Sequence, residues 1–211
     1  TLFYVLSSLN NVYKCMWNDG ATASTVEPTG TSNAELTTGD DYVWKYMYTL
    51  TTAQVADFLT ADFMPVSTNA TVSTAAVDGA IRHCKVERVG AGYTPASGTT
   101  AYTAVPINGD GASGVATVTV TDGAVASVTI TTPGTGYTFA VIAVDAISGI
   151  GTPSTSAIVT PIIGPKGGHG YNAVNELGGF YVMSNTSIAS TEGGGDFVVD
   201  QDFRRVGIVL N

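Results

Sequence analysis

The sequence predicts a mainly β protein: an antiparallel β-sandwich assembled from both flanks of the chain, one short helix, and a small β module inserted between the flanks. Three observations predict it. Only 12% of the 211 residues are charged while 44% are hydrophobic, and most of the remainder is Thr, Ser, Gly and Asn, the make-up of a rigid β protein. Aromatic and β-branched runs alternate with glycine-rich turns, and one stretch alone shows a convincing helical period. The chain also repeats itself. DGAIRHCKVERVGAGYT from Asp78 to Thr94 returns as DGAVASVTITTPGTGYT from Asp122 to Thr138, at a constant spacing of 44 residues.

Residues 1–20 read as a hairpin: an apolar strand, a Ser-Ser-Leu-Asn-Asn turn, and a second strand from Val12 to Trp17. Residues 21–39 lack periodicity and read as an ordered loop or a partly mobile arm. The strongest strand follows, from Gly39 to Leu50. Period two sets Tyr42, Trp44, Tyr46 and Tyr48 on one face, with Val43, Lys45, Met47 and Thr49 on the other. Such a strip is either a sugar-stacking platform or a buried layer whose hydroxyls find partners at its rim or at a subunit interface. Burial is the better reading, because aromatic stripes are more often core than ligand site.

From Thr51 to Thr60 the chain predicts its helix, capped by Thr51 or Thr52, with Val55, Phe58 and Leu59 in one apolar stripe. Pro65 prevents much continuation, and a Thr/Ser/Ala connector leads through Ala76 into the insert. Each copy in the insert reads as strand, turn, strand. Asp-Gly is a hairpin turn signal, and the Gly-x-Gly-Tyr-Thr that closes each unit puts glycine where the backbone bends and a tyrosine over the bend. No GxGxxG opens a helix there, so the repeat is architecture and not a nucleotide site. The predicted division is 1–77 with 162–211 as a discontinuous sandwich, and 78–161 as the inserted module.

After a strand from Ile158 to Ile163 comes Gly164-Pro-Lys-Gly-Gly-His-Gly-Tyr171, the one place where chemistry is tempting. Backbone N–H groups at Gly167, Gly168 and Gly170 are able to cradle an anion, and His169 to act as base or ligand. No nucleophile elbow and no carboxylate at a readable spacing accompanies His169. The expectation is therefore a tight loop in which His169 donates a hydrogen bond to main chain. Asn172 to Gly178 suits a single helical turn, Gly179 to Ser184 a strand, and Phe197–Val199 and Phe203–Leu210 more strand.

Composition excludes several classes. A net charge of −9 with only 8 Lys and Arg argues against nucleic acid, which needs clustered cations. Cys15 and Cys84 read as reduced, structural thiols. His83 and Cys84 neighbour each other in a strand and face opposite ways, so they do not share a zinc ion. Glu192, Asp196, Asp200 and Asp202 lack a calcium-loop spacing. No catalytic residue, cofactor or metal site is predicted, and no apolar run approaches the roughly 20 residues of a membrane span. The absence of Met at Thr1 and of a polar tail at Asn211 suggests a piece of a longer polypeptide.

Three blocks, GDDYVWKYMY from Gly39 to Tyr48, GPKGGHGY from Gly164 to Tyr171 running on to Glu176-Leu-Gly-Gly179, and DFRRVGI from Asp202 to Ile208, resemble in order and content the baseplate wedge subunit of T-even-like contractile-tailed bacteriophages, in the longer form of cyanobacterial phages. The resemblance covers both flanks. Where the family has Asp-Gly-Tyr this chain has Asp40-Asp41-Tyr42. The resemblance implies a non-enzymatic virion protein of the tail baseplate, mainly β, paired as a homodimer and clamped between other wedge and tail proteins. Tyr42, Trp44, Tyr46, Tyr48, the Gly167–Gly170 loop with His169, and Phe203, Arg204 and Arg205 then become structural or interface residues. An apolar strand from Phe203 to Leu210 makes a risky bare edge unless something pairs with it, which agrees with dimerisation on physical grounds as well. A phage-borne carbohydrate-binding or adhesin module is the alternative, with the aromatic strip exposed. A hydrolase centred on His169 ranks last.

Overall fold

The structure, a computed structural model, describes residues 3–18, 22–186 and 209–210. It is mainly β, with antiparallel sheets and short helices. The N-terminal flank forms one four-stranded sheet in the order β1 (Tyr4–Leu6), β2 (Asn11–Asn18), β4 (Tyr42–Thr49), β3 (Leu36–Thr37).

Two irregularities in the β2–β4 ladder shape this sheet. Val12 pairs with Tyr48 but Tyr13 pairs with Tyr46, so Met47 is an extra residue on β4; Met16 is the corresponding extra residue on β2. An inserted residue moves everything beyond it to the other face. Tyr42, Trp44 and Tyr46 therefore share one cluster with Tyr13, while Tyr48 joins Met47, Val12 and Leu50 in another. The single four-aromatic face expected from strict alternation does not form. All four rings are nonetheless buried.

The loop of residues 22–34 crosses the aromatic face. Tyr13 Oη donates to the Gly30 carbonyl at 2.6 Å and Tyr42 Oη to the Thr22 carbonyl. Asp40 holds the same loop, accepting from Ser24 Oγ and the Thr25 N–H, both at 2.7 Å. The opposite face is covered by helices. α1 (Thr52–Phe58) begins in a capping box between Thr51 and Gln54, and α3 (Ala173–Leu177) lays Ala173 and Leu177 against Val12, Met47 and Tyr48. α2 (Ala70–Thr74), between them in sequence, forms where the chain reads as connector and packs Val72 on the aromatic cluster of Tyr13, Tyr42, Trp44 and Tyr46 instead; Asn69 caps it by accepting from the Thr71 and Val72 N–H groups.

The insert contains β5 (Ile81–Arg88), β6 (Thr99–Pro106), β7 (Asn108–Gly109), β8 (Ala112–Thr121), β9 (Ala124–Thr135), β10 (Ala140–Val141) and β11 (Ile158–Ile163). Its two copies exchange partners. β8, ending the first copy, pairs with β9, opening the second; β5, opening the first, pairs with β11, ending the second. Asp122 and Gly123, both at positive φ, make the two-residue turn between β8 and β9. The first Asp-Gly makes no hairpin. Instead the Gly79 carbonyl accepts the Tyr137 N–H at 3.3 Å, just as the Gly123 carbonyl accepts the Tyr93 N–H at 3.0 Å. A Cβ on Gly79 would lie 2.2 Å from Tyr137 N, so this crossing requires glycine.

Each repeat tyrosine plugs the other copy. Tyr137 Oη donates to the Ile107 carbonyl at 2.9 Å and accepts from the Gly114 N–H at 3.1 Å; Tyr93 Oη donates to Asp145 at 2.5 Å and accepts from the Ala157 N–H at 2.6 Å. Both rings are buried in one cluster with Ile81, Val118, Val125 and Ile150, against which Ile163 also packs. Beyond α3, β12 (Tyr181–Val182) pairs with β13 (Val209–Leu210).

Candidate functional site

The Gly164–Tyr171 loop leaves β11 and crosses the sheet at close range. A Cβ on Gly168 would sit 2.4 Å from the Val77 carbonyl oxygen, and one on Gly170 2.5 Å from Val72 Cγ1. Gly168 brings the loop against the Val77 backbone and Gly170 against the Val72 side chain, where a larger residue would hold the loop away. His169 consequently lies over β2 and beside α3, with its Nε2 edge turned toward Gly164.

The expected main-chain hydrogen bond of His169 is replaced by a charged clasp. His169 Nδ1 lies 3.1 Å from Glu176 Oε2 and 3.3 Å from Lys14 Nζ, and Lys14 Nζ donates to the same Glu176 oxygen at 2.8 Å. The other oxygen, Oε1, accepts the Gly170 N–H at 2.6 Å. With its side chain only 3% exposed, Glu176 is a buried anion with a full set of donors. Burial pushes its carboxyl up, but hydrogen bonds from His169 and Lys14 and the Lys14 charge outweigh this and hold it below the usual glutamate range.

A second charged group adjoins the first. Glu35 lies 3.5 Å from Arg82 Nε and 3.6 Å from His83 Nε2, and the His83 ring stacks on Trp17 with centroids 6.1 Å apart. Cys84, the next residue, points the other way into the module core, where burial pushes its thiol up to about 12. Lys45, 4% exposed, donates to the Asn33 carbonyl; burial depresses its ammonium and Arg82 adds to this, against the pull of Glu35 and Glu176. Together these side chains form a polar seam between sheet and insert.

The structure thus brings His169, Gly167, Gly168 and Gly170 together with Lys14 and Glu176, which the sequence reading did not connect to them. Tyr42, Trp44, Tyr46 and Tyr48 lie within the packed sheet and not at this site. Phe203, Arg204 and Arg205 fall outside the described residues. Among the described residues no group of three or more His, Cys, Asp or Glu is placed to hold a metal ion, and no described helix is long and apolar enough to cross a membrane.

What this arrangement does chemically is bind its own loop. The Nδ1 atom of His169 and the Lys14 ammonium both turn to Glu176, and the nearby Ser73 Oγ donates to the Tyr171 carbonyl at 2.9 Å. No family model, curated protein or solved structure matches the chain.

Proposed function

We propose that this chain is a structural component of a phage contractile-tail baseplate, a wedge subunit that acts as a rigid scaffold between neighbouring baseplate and tail proteins. One observation carries the reading. The two segments with the chemistry of a ligand site, the aromatic strip and the Gly-Gly-His-Gly loop, both turn inward and spend their polar groups on the fold itself. A protein that transmits load benefits from such closure, because stiffness comes from close-packed, fully bonded elements. The order of the blocks around Tyr42–Tyr48, Gly164–Tyr171 and Asp202–Ile208 supports the wedge in particular.

Apolar side chains left on the surface support a gripped molecule. Leu9, in the turn between β1 and β2, and Phe139, Val141, Ile158 and Ile162, in the insert, are all exposed. The alternative, a glycan-binding module with Tyr42, Trp44, Tyr46 and Tyr48 as its platform, is not favoured by rings that are covered by residues 22–34 and by helices. The test is co-expression with the other tail proteins of the same phage, followed by affinity capture and sedimentation. A homodimer that retains further tail proteins is expected; a monomer that retains none overturns the proposal.

A further inference from the structure

Behind the clasp lies an open cleft of ≈ 850 Å³, walled by the end of α2 and the segment to Asp78, by residues 165–167, and by the start of α3. Its volume is in the range of small-molecule sites. The walls are tied in place: Gly167 N–H donates to Asp78 Oδ1 at 2.6 Å, Ser73 Oγ holds the Tyr171 carbonyl at 2.9 Å, and Asn172 Oδ1 caps α3 through the Asn175 N–H at 3.0 Å. A site fixed in this way loses little freedom when a ligand enters.

Tyr171 is the unusual member. It is 56% exposed, yet its ring rests on the Gly167 backbone so closely that a Cβ there would lie 2.3 Å from Tyr171 Cδ1. A large ring is therefore fixed at the cleft with much of its surface open to solvent. Around it the charges cancel, Lys14 and Lys166 against Asp78 and Glu176. Lys14 is already committed to Glu176, while Lys166 has no ion pair among the described residues. The other polar lining is amide and hydroxyl, from Asn172, Asn175, Ser73 and Thr74.

This set of groups selects by chemistry. An anion such as phosphate meets Asp78 and Glu176, and an apolar ligand leaves the amides and hydroxyls desolvated without partners. A ligand whose hydroxyls both donate and accept, and whose ring carries an apolar C–H face, suits every wall at once. We propose that this cleft binds a short neutral saccharide, with Tyr171 as the stacking surface and Asn175, Asp78 and Lys166 as hydrogen-bonding groups. The site is separate from the buried β4 strip and does not rest on the scaffold reading.

The test is saturation-transfer NMR on the full chain with maltotriose, cellotriose and chitotriose at about 10 mM, a concentration that reveals even millimolar binding. Transfer to at least one of them is expected, weakened about tenfold by Tyr171→Ala and little changed by Tyr171→Phe, which keeps the ring. Asn175→Ala, which leaves the ring untouched, is expected to weaken binding by a similar factor and serves if Tyr171→Ala fails to fold. No transfer with any of these sugars overturns the proposal, as does binding undiminished in the variants. Displacement of the bound sugar by inorganic phosphate at equal concentration also overturns it, because it would identify an anion site.

Discussion

Glu176 is an anion held in a nearly dry place, and its environment fixes how the loop responds to acid. Its folded carboxyl lies below the ordinary value of about 4.3, so its contribution to stability is fully present above that value and is lost as pH falls through the lower folded one. Glu35, also lowered despite its burial because His83 and Arg82 sit beside it, acts in the same direction. Replacing Glu176 with Gln leaves Lys14 without its counter-charge; because Lys14 is partly exposed the cost is below that of a fully buried pair, roughly 2 kcal/mol. Urea unfolding at neutral pH should show that loss, and the gap between wild type and Glu176→Gln should narrow as the pH drops below about 4. An unchanged gap would mean that the clasp does not hold the carboxylate charged. Cys84 supplies an independent residue-scale check. Burial pushes both thiols up, Cys84 to about 12, and Cys84 is the more enclosed. Iodoacetamide at mildly alkaline pH should therefore modify Cys15 first and reach Cys84 only on unfolding, as peptide mass spectrometry would read directly.

At the scale of elements, the crossed repeat makes the sharpest expectation. Tyr137 Oη is buried between a carbonyl and an N–H, so Tyr137→Phe orphans both and should cost about 1–3 kcal/mol in thermal or urea unfolding. Tyr93→Phe should cost less than its hydrogen-bond count suggests, because the Asp145 carboxylate it leaves is largely in solvent. Asn69→Ala, removing the α2 cap, should cost about 1 kcal/mol. Much of this level was legible beforehand. The capped α1 stripe, the strand from Tyr42 to Thr49, the burial of its aromatics and the duplicated unit all follow from local spacing, which is where sequence reasoning is strongest. The bulge at Met47 was not, because counting by two assumes that no residue is inserted, and the pairing that reveals the extra residue comes from β2. Nor was the α2 cap, since Asn69 stands in a Thr/Ser/Ala connector where no apolar period marks the start of a helix. The repeat announces two copies but not which strand pairs with which. His169 looked isolated for a similar reason: Glu176 approaches it only because α3 folds back, and Lys14 arrives from a strand at the far end of the chain.

For the whole molecule, the question is how the insert is carried by the flanks. Its apolar cluster is drawn entirely from residues 81–163, while the flanks build separate clusters around Val12, Tyr48 and Leu177 and around Tyr13 and Trp44. Ile81 pairs with Ile163, so the chain enters and leaves the insert at adjacent points on the β5–β11 ribbon. An insertion whose ends meet in a ladder closes its own loop and needs no contribution from the host to do so. The links back to the flanks are mostly polar: Glu35 with Arg82 and His83, and the Gly167 N–H donated to Asp78, beside the Trp17 ring stacked on His83. Partly exposed ion pairs of this kind contribute at most about 1 kcal/mol each and orient more than they stabilise. A fragment spanning residues 78–163 should consequently fold alone, with a cooperative thermal transition and dispersed amide resonances, and Tyr137→Phe should lower its midpoint as it does in the whole chain. If the fragment is instead unfolded, the crossed repeat depends on the sheet beneath it, and the charged seam stabilises the insert far more than its exposure allows.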